Sequence, residues 1–336
     1  MAFLPPSALV QAVAPFVSSA LVSLPASARI GAHTARLPPV FAWGIFECRL
    51  APDDMRVDML FRVSRRGGGE DKLAEEWPRI EAELGPIAEF LRAWRDPNGA
   101  LARSPLFWVE HDLLPGGPSA PFVQFCVDPR YPEGRAALPP AELRALAKAG
   151  VAPLLGDEPD AGPLDLLAQC AARLPENASV LHVGVMPYRG RRDLRVLAGV
   201  PIARTWEWLA AIGWPGDRAH AFDWLDLLGG HFTHASVQLD LGEAVRPTLA
   251  LEFPLPRSGD DPAWKRFMAG LVARGLADVE KAESALRWIG DATGQVTGAP
   301  WLVHVQRQLD VKLVLRADGT CEAKAYLCFH PRFVLF

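Results

Sequence analysis

Carboxylates and amines occur at alternate positions in several stretches of this chain. Glu110 and Asp112 are two residues apart, and Lys312 and Lys324 each follow a carboxylate by two residues. Alternate residues of a β-strand share one face. The two carboxylates could therefore form an acid–base couple, hold a cationic group, or lie at the rim of a sheet. Each lysine could bind an anionic group or complete an internal network of ion pairs.

The alternation is most regular near the C-terminus, where it predicts a β-hairpin. In 303–316 and again in 321–330, one face is mainly apolar and the other mainly polar. The two runs are joined by Ala317-Asp318-Gly319-Thr320, and an Asp-Gly pair is typical of a tight turn. The polar face carries acids, bases, amides and a phenol, which indicates a lined cavity. We expect His304 on this face and His182 in an earlier strand to face the cavity, where they could transfer protons or make structural hydrogen bonds.

The same order of elements recurs along the chain. Five predicted units each place one or two helices before a pair of strands. The predicted strands are 41–50, 56–64, 106–113, 122–128, 180–188, 194–199, 233–241 and 246–255, followed by the final hairpin at about 302–330. The predicted helices are 7–23, 72–94, 140–149, 163–173, 202–212, 218–228, 262–273 and 278–289.

Ten strands joined as hairpins predict an antiparallel sheet, and closing that sheet into a barrel removes both exposed edges. We therefore expect an α+β fold in which five helix–hairpin units form a ten-stranded antiparallel barrel surrounded by helices. Residues 1–336 would form one such domain. With helices outside, the polar strand faces must point into the lumen. Ten strands enclose more space than eight, so a ligand could fit inside.

Composition restricts the function classes. The chain has 336 residues, half of them hydrophobic, and a formal net charge of −4. Such a chain is not expected to bind nucleic acid. No uninterrupted apolar run approaches the roughly 20 residues of a membrane span, so no membrane partner is expected. The five cysteines have no metal-like spacing, which favours reduced thiols in the cytoplasm.

Two further motifs carry little chemistry. His231 and His234 lack a third ligand at a suitable spacing, so no metal site is predicted. The run Arg65-Arg66-Gly67-Gly68-Gly69 lacks the Gly-Lys-Ser/Thr ending of a phosphate-binding loop. It therefore predicts a flexible loop between a strand and a helix.

Five helix–hairpin units around a closed barrel resemble the ABBA-fold prenyltransferases. This family includes fungal indole prenyltransferases, bacterial enzymes that prenylate phenols and phenazines, and cyanobactin peptide prenyltransferases. Lys324-Ala325-Tyr326 looks like the family's strand-borne K-x-Y, in which the lysine binds diphosphate and the tyrosine shields the carbocation. Glu47, followed one strand later by Arg62, is similar to the family's pair of a catalytic acid and a diphosphate-binding arginine. The resemblance implies a prenyltransferase of natural-product biosynthesis.

Prenyl transfer requires cations around the leaving diphosphate, aromatic walls around the carbocation and a base for the attacked nucleophile. We expect Glu47 or Glu110 to be the base. The acceptor would be a small aromatic molecule or a peptide. The prenyl diphosphate would be a co-substrate with no further cofactor, since the chain has no Asp-rich Mg²⁺ motif. The cations expected to bind substrate are Arg62, Arg195, Lys312 and Lys324, and the expected aromatic walls are Trp43, Trp108 and Tyr326.

A second hypothesis fits the same barrel: a protein without prenyl transfer that binds a precursor peptide and assists its maturation. The chain has three tyrosines, whereas the family's prenyl pocket is usually rich in tyrosine. The predicted lumen faces also look balanced or acidic, although a diphosphate site should be basic. The enzyme hypothesis requires Arg62, Lys312, Lys324 and Tyr326 to converge at one end of the cavity.

Overall fold

The strands form a closed antiparallel barrel in the computed structural model, which describes residues 3–114, 117–118, 121–132, 137–229, 232–254, 261–299 and 302–333. Within these ranges, ten strands follow one another around the ring. They are β1 (Trp43–Arg49), β2 (Val57–Ser64), β3 (Leu106–Leu114), β5 (Phe122–Cys126), β6 (Ser179–Met186), β7 (Arg191–Pro201), β8 (His234–Leu241), β9 (Val245–Pro254), β11 (Leu302–Leu315) and β12 (Cys321–Phe333). Two short strands lie outside the ring: β4 (Gly117–Pro118) pairs with β3, and β10 (Gly290–Gln295) pairs with β11.

The strand β11 closes the barrel because it is long enough to take two neighbours along one edge. Its first six residues pair with β10, and Asp310–Leu315 pair with Leu249–Pro254 of β9. Its other edge pairs with β12, which in turn pairs with β1. Each of the ten strands therefore has a hydrogen-bonded partner on both sides, which is what removes the edges of a sheet. The predicted ten-stranded antiparallel barrel is confirmed.

The helices come in five groups, and each group precedes one pair of barrel strands. They pack on the outside of the barrel, as in the predicted helix–hairpin units. In the described ranges they are α1 (Pro6–Val13), α2 (Leu24–Thr34), α3 (Gly69–Glu75), α4 (Trp77–Leu84), α5 (Ala88–Arg95), α6 (Pro140–Leu155), α7 (Ala161–Ala172), α8 (Ile202–Ala211), α9 (Arg218–Gly229), α10 (Pro262–Ala273) and α11 (Val279–Trp288). None of them combines the length and the apolar character that a bilayer crossing requires.

The two faces of each strand separate as a period of two predicts. On β11, Val311 and Leu313 are completely buried in the apolar layer between barrel and helices. The intervening Lys312 lines the lumen instead. The indole of Trp288 at the end of α11 also lies in the apolar layer, where it donates a hydrogen bond of 2.9 Å to the carbonyl oxygen of Gln308. The main hydrophobic core thus surrounds the barrel, and the polar side chains are enclosed by it.

Two predicted helices are wrong in extent. The single helix expected over about 7–23 ends at Val13, and a short 3₁₀ turn that contains Pro15 follows it before α2 begins. The helix expected over 72–94 is divided into α3, α4 and α5, with Pro78 and Pro86 in the first turns of new segments. A proline lacks the N–H group that continues a helix, so each break has a local cause. The strand β10 was not predicted, because its residues GDATGQ include few with β propensity.

Gly150 of α6 lies against the ring of Phe125, and a Cβ atom at this glycine would come within 2.3 Å of that ring. We expect Gly150→Ala to lower the free energy of unfolding by about 1–3 kcal/mol, because the buried ring has no room to move. Gly31→Ala is the matched control, since nothing lies within 4 Å of its Cβ position in α2. That change should stabilise the helix by up to about 1 kcal/mol. Urea denaturation of both variants measures the difference, and equal effects would contradict the packing.

Candidate functional site

The barrel lumen contains a cavity of about 450 Å³. Among the described residues its walls carry eight basic side chains and six carboxylates. Two further carboxylates, Asp58 and Asp112, are ion-paired with Arg49 and Arg189 of the wall, so the charge is close to balanced. The predicted strand faces did not include Arg189, Arg191 and Arg316, which lie in turns or at strand ends where alternation gives no signal. The other basic residues are Arg49, Arg62, Arg195, Lys312 and Lys324, and the carboxylates are Glu47, Glu110, Asp240, Glu252, Asp310 and Glu322.

Glu47 is held by two cations at the middle of the lumen. Its place on β1 puts it opposite Tyr326 of β12. Lys324 donates a hydrogen bond of 2.6 Å from Nζ to Glu47 Oε1, and Arg49 Nη2 lies 3.3 Å from the same oxygen. Burial acts to raise the pKa of Glu47, but the charges of Lys324 and Arg49 outweigh it and hold the pKa well below its usual range. A carboxylate stabilised in this way is a weak proton acceptor.

Lys312 lies beside this pair, directly across from Lys324 in the β11–β12 ladder. Its Nζ atom donates a hydrogen bond of 2.6 Å to Gln238 Oε1 and lies 3.7 Å from Glu252 Oε2. Burial lowers the pKa of Lys312 despite the opposing charge of Glu252. The same Nζ atom is 5.5 Å from the centre of the Tyr326 ring. Lys312, Lys324 and Tyr326 therefore lie together, but both lysines already have carboxylate partners.

Arg195 is also paired. It lies across from Asp240 in the β7–β8 ladder, and its Nε and Nη2 atoms donate hydrogen bonds of 3.0 and 3.2 Å to the two carboxylate oxygens. This fork-to-fork geometry is the strongest form of arginine–carboxylate pairing. Arg195 therefore presents fewer donors to a ligand than its sequence position predicts.

Glu110 differs from Glu47 in both pairing and acidity. One of its oxygens accepts a hydrogen bond of 3.1 Å from Arg189, and the other has no hydrogen-bond partner among the described residues. Burial raises the pKa of Glu110 to about 7, and the negative charge of Glu47 adds to the effect. Its carboxyl group can therefore bind and release a proton near neutral pH. Of the two predicted bases, Glu110 has the properties that proton transfer requires.

Arg62 lies at the other end of the lumen from the lysines. It pairs with Trp43 in the β1–β2 ladder, whereas Glu47 pairs with Asp58. Four residues along an extended strand span about 13 Å. The expectation that Arg62 converges with Lys312, Lys324 and Tyr326 is therefore wrong. The register between β1 and β2 places Arg62 four residues along the strand from the position of Glu47.

The surroundings of Arg62 are mainly aromatic. Its guanidinium carbon lies 4.1 Å from the centre of the Trp43 ring and 5.7 Å from that of Trp108. No described carboxylate forms an ion pair with it, and its Nε atom is buried without a hydrogen-bond partner. Burial lowers the pKa of Arg62 to about 10, so the group stays protonated at neutral pH. We refer to Trp43, Arg62, Trp108, Tyr131 and His182 as the aromatic compartment.

His182 lines the lumen beside Arg62, as its strand position predicts. Its ring is 3% exposed, neither ring nitrogen has a hydrogen-bond partner among the described residues, and it meets the ring of Tyr131 edge to face at 5.3 Å. Burial, assisted by the charge of Arg62, lowers the pKa of His182 to about 3. The imidazole is therefore neutral near pH 7, where it can hydrogen-bond a ligand but is a poor proton shuttle.

His304 is not among the residues that line the lumen, so the expectation that it faces the cavity is corrected. It lies where β11 pairs with β10, with its Nδ1 atom 3.0 Å from Thr293 Oγ1 and its Nε2 atom 3.7 Å from Asp291. The strand β10, which was not predicted, therefore lies beside this histidine. Its contacts are those of a structural residue at the barrel edge.

Next to the aromatic compartment lies a recess of about 690 Å³, which we call the arginine vestibule. It shares Trp43, Arg62, Tyr131 and Pro132 with the lumen, so the two spaces are adjacent. Its described lining includes four arginines and no aspartate or glutamate. These arginines are Arg62, Arg66, Arg130 and Arg332.

Sequence reasoning missed three of these arginines because they belong to separate chain segments. Arg130 follows β5, and Arg332 is near the end of β12. Arg66 belongs to the glycine-rich run predicted as a loop, which forms a turn between β2 and α3 with Gly67 at φ 92° and Gly68 at φ 87°. Arg65 fixes this turn by donating a hydrogen bond of 3.0 Å to the carbonyl oxygen of Ser104. No spacing in the sequence brings these residues together.

Within the described ranges, no group of three or more histidine, cysteine, aspartate or glutamate side chains is arranged to hold a metal ion. His231, one member of the His231–His234 pair, lies outside the described residues.

Comparison with known proteins identifies the fold. No family model matches the chain, and no curated protein matches it in sequence. Among solved structures, apo prenyltransferase PriB aligns with 96% of this chain and 94% of its own, at a TM-score of 0.52 and 13% identity. The 5-dimethylallyltryptophan synthase of Streptomyces coelicolor covers 96% and 95%, at a TM-score of 0.54 and 15% identity. The chain has the ABBA prenyltransferase fold.

A third structure has the same fold. The ternary complex of PriB with L-tryptophan and dimethylallyl thiolodiphosphate covers 96% of this chain and 94% of its own, at a TM-score of 0.54 and 12% identity. At such identities the likeness shows the fold alone. The resemblance inferred from the order of elements is thus confirmed for the architecture, and the activity has to be argued from the residues of the ABBA barrel described above.

The raised pKa of Glu110 predicts a specific pH dependence of stability. A carboxyl group whose pKa is higher in the folded chain stabilises the fold while it is protonated, and this contribution is lost as the pH rises through the folded value, about 7. We therefore expect wild-type stability to fall between about pH 5 and pH 8. Glu110→Gln, which stays uncharged, should be more stable than the wild type at the higher pH by up to about 3 kcal/mol.

Denaturant unfolding at the two pH values measures this difference. Glu243→Gln, at an exposed position in the turn between β8 and β9, is the control and should keep the wild-type pH dependence. An equal pH dependence in Glu110→Gln and the wild type would show that Glu110 is ionised throughout.

Proposed function

We propose that this protein is a metal-independent prenyltransferase-like enzyme of secondary metabolism. It transfers an allylic group from a diphosphate to an aromatic small molecule or to a peptide. The observation that carries the proposal is the presence, within one lumen, of an aromatic compartment around Arg62 and of a buried carboxyl group, Glu110, whose pKa is raised to about 7. The fold agrees with this proposal, since its solved neighbours are prenyltransferases.

The aromatic compartment suits an allylic carbocation. The rings of Trp43 and Trp108 meet at 6.5 Å, and Tyr131 lines the same space. Faces of aromatic rings attract cations. Trp108 and Tyr131 supply such faces, whereas Arg62 and the stacked ring of His330 each lie 4.1 Å from the centre of the Trp43 ring and cover it. The surrounding barrel also excludes bulk water, which would otherwise hydrolyse the cation. Tyr131 thus takes a role that the sequence assigned only to Trp43, Trp108 and Tyr326.

The reaction balances with the groups present. The C–O bond of the donor breaks and its electron pair leaves with the diphosphate. A nucleophilic atom of the acceptor forms the new bond to the allylic carbon and then loses its proton to the carboxylate of Glu110. Glu47 keeps Lys324 and Arg49 in place, because its carboxylate is already occupied by both. Arg189 fixes the orientation of the Glu110 carboxyl group.

Turnover should depend on Glu110. We expect Glu110→Gln to reduce the rate of prenylation by about 10²–10⁴-fold, which is the usual contribution of a general base, while donor affinity is retained. Because the base must be ionised, the wild-type rate should fall as the pH drops below about 7. Mass spectrometry of tryptophan, tyrosine and aromatic peptides incubated with dimethylallyl diphosphate measures the product. Full activity in Glu110→Gln would assign the proton to another group.

Donor binding is the most direct test of the proposal. We expect dimethylallyl and geranyl thiolodiphosphates, which resist cleavage, to bind the wild type with a dissociation constant in the micromolar range, on the order of −8 kcal/mol. Isothermal titration calorimetry measures both. A folded wild-type protein that gives no heat with either compound would rule out prenyl transfer.

The alternative is a barrel that binds a precursor peptide and assists its maturation without prenyl transfer. Two observations favour it. Three of the four cations predicted to bind diphosphate, Lys312, Lys324 and Arg195, are paired with carboxylates. The fourth, Arg62, does not converge with the lysines as the enzyme hypothesis requires. This hypothesis predicts that aromatic peptides bind the wild type and that the thiolodiphosphates neither bind nor compete. Titration of peptides in the presence and absence of the thiolodiphosphate separates the two functions.

A further inference from the structure

One thiol faces the cavity in which the proposed function places a carbocation. Of the five cysteines, all of which lie in described parts of the chain, Cys328 is the one that lines the lumen. With Ile45 and Tyr326 it forms a small apolar cluster inside the barrel, separate from the main core. Trp43 and Trp108 pack against this cluster. The thiol therefore lies beside the aromatic walls of the lumen.

The strand register places this thiol and the proposed base in one row of the lumen. Cys328 lies across from Ile45, which lies across from Leu60. Leu60 in turn lies across from Glu110, so the thiol and the carboxyl group are about 14 Å apart along the sheet. The row that contains Trp108 follows two residues, or about 7 Å, further along the strands. A carbocation in the lumen in front of these rows has Glu110 on one side and the Cys328 thiol on the other.

A histidine in the same space indicates that this part of the lumen binds a ligand. His182 lines the lumen and is 3% exposed, and neither of its ring nitrogens has a hydrogen-bond partner among the described residues. A buried polar group without a partner is costly, and a ligand with hydrogen-bonding groups would remove that cost. The charge of Arg62 acts on both His182 and Cys328, so these two side chains border the same space.

Cys328 is a thiol and not a thiolate at neutral pH. Burial raises the pKa of Cys328 well above its usual range, and the negative charge of Asp310 adds to the effect. Its Sγ atom lies 3.8 Å from Asp310 Oδ2, which is the nearby acceptor for its proton. Ordinary alkylating agents react with thiolates, so a buried thiol of this kind is inert to them. An allylic carbocation is a stronger electrophile, and the lone pairs of a protonated thiol are sufficient to capture it.

We propose that Cys328 is a modification site, at which its sulfur captures the allylic group when no acceptor occupies the lumen. This inference rests on the proposed function. The C–O bond of the allylic diphosphate breaks, and its electron pair leaves with the diphosphate. A lone pair of Cys328 Sγ forms the new S–C bond, and the thiol proton passes to the carboxylate of Asp310. The product is a thioether in the lumen wall, which occupies the space that an acceptor needs.

Mass spectrometry of the intact protein tests this modification. The wild type incubated with dimethylallyl diphosphate and no acceptor should gain a single dimethylallyl group, and peptide mapping should locate it on Cys328. Cys328→Ala should gain none. Cys170→Ala is the matched control, because it also removes one buried thiol, but from α7 in the outer apolar layer, and it should be modified like the wild type. The wild type unfolded in urea should not be modified, because an unfolded chain has no lumen in which the cation forms.

Two further measurements distinguish the modification from general thiol reactivity and from loss of the donor. Iodoacetamide at neutral pH should leave Cys328 unlabelled in the folded protein. Labelling at the rate of the half-buried Cys321 would contradict the assignment, because an ordinary reactive thiol would then explain the adduct. Calorimetry with dimethylallyl thiolodiphosphate should give the same affinity for Cys328→Ala and the wild type. If the variant binds more weakly, peptide mapping of the wild type still decides which residue carries the group.

The outcomes separate this inference from the function on which it rests. Prenylation of an acceptor, with no adduct on the protein when the acceptor is left out, would overturn the inference and leave the proposed function in place. An adduct on Cys328 without any product from the tested acceptors would support the inference and show that the donor is cleaved in the lumen. A folded wild type that forms neither adduct nor product would contradict both.

Discussion

The structure depends on one constraint: a sheet that closes on itself, with helices packed outside, must place its polar face in its own interior. Ten strands of this chain alternate between apolar and polar residues, and closure encloses the polar set. A charge enclosed in this way loses much of its hydration, so it needs a partner or a shifted pKa. The pairs Lys324–Glu47, Arg195–Asp240 and Arg49–Asp58 meet this demand directly, with separations of 2.6 to 3.0 Å. At 4 Å, such a pair gains about 4 kcal/mol at an effective dielectric constant of 20.

Arg62 and Glu110 lack a full counter-charge and have shifted pKa values instead, and they are the groups best suited to take part in chemistry. Arg62 lies against indole faces instead of a carboxylate, and its lowered pKa reflects burial that no counter-charge offsets. Glu110 has one arginine contact, which is too little to hold it ionised against burial and the charge of Glu47. Incomplete compensation is costly in the empty protein. A ligand that supplies the missing charge or takes the proton would offset this cost, which is why both groups are candidates for the functional part of the lumen.

The sequence was sufficient to predict the barrel, because closure follows from the number of strands and from their side-chain period. Both can be read from short stretches of the chain. The sequence also placed Lys312, Lys324 and Tyr326 together, since the Asp-Gly turn determines the register of the last hairpin. The sequence could not predict the position of Arg62 along the barrel axis, because that position depends on the register between β1 and β2. The predicted position of His304 was wrong because this residue lies where β11 pairs with β10. The residues of β10 have weak β propensity, so the sequence did not predict that strand. Arg130 and Arg332 are adjacent in space through tertiary structure alone, so no periodicity could identify the vestibule.

The same comparison explains why the fold by itself leaves the activity open. A barrel of this kind keeps its shape as long as the outward apolar face is retained, because the core lies outside the lumen. Lumen residues are then free to change, provided that each charge remains compensated. Glu252 and Asp240 neutralise cations that a diphosphate could otherwise use, whereas Arg62 has no ion-pair partner among the described residues. The pairing of each cation, and not the number of cations in the lumen, therefore limits which anions this barrel can bind.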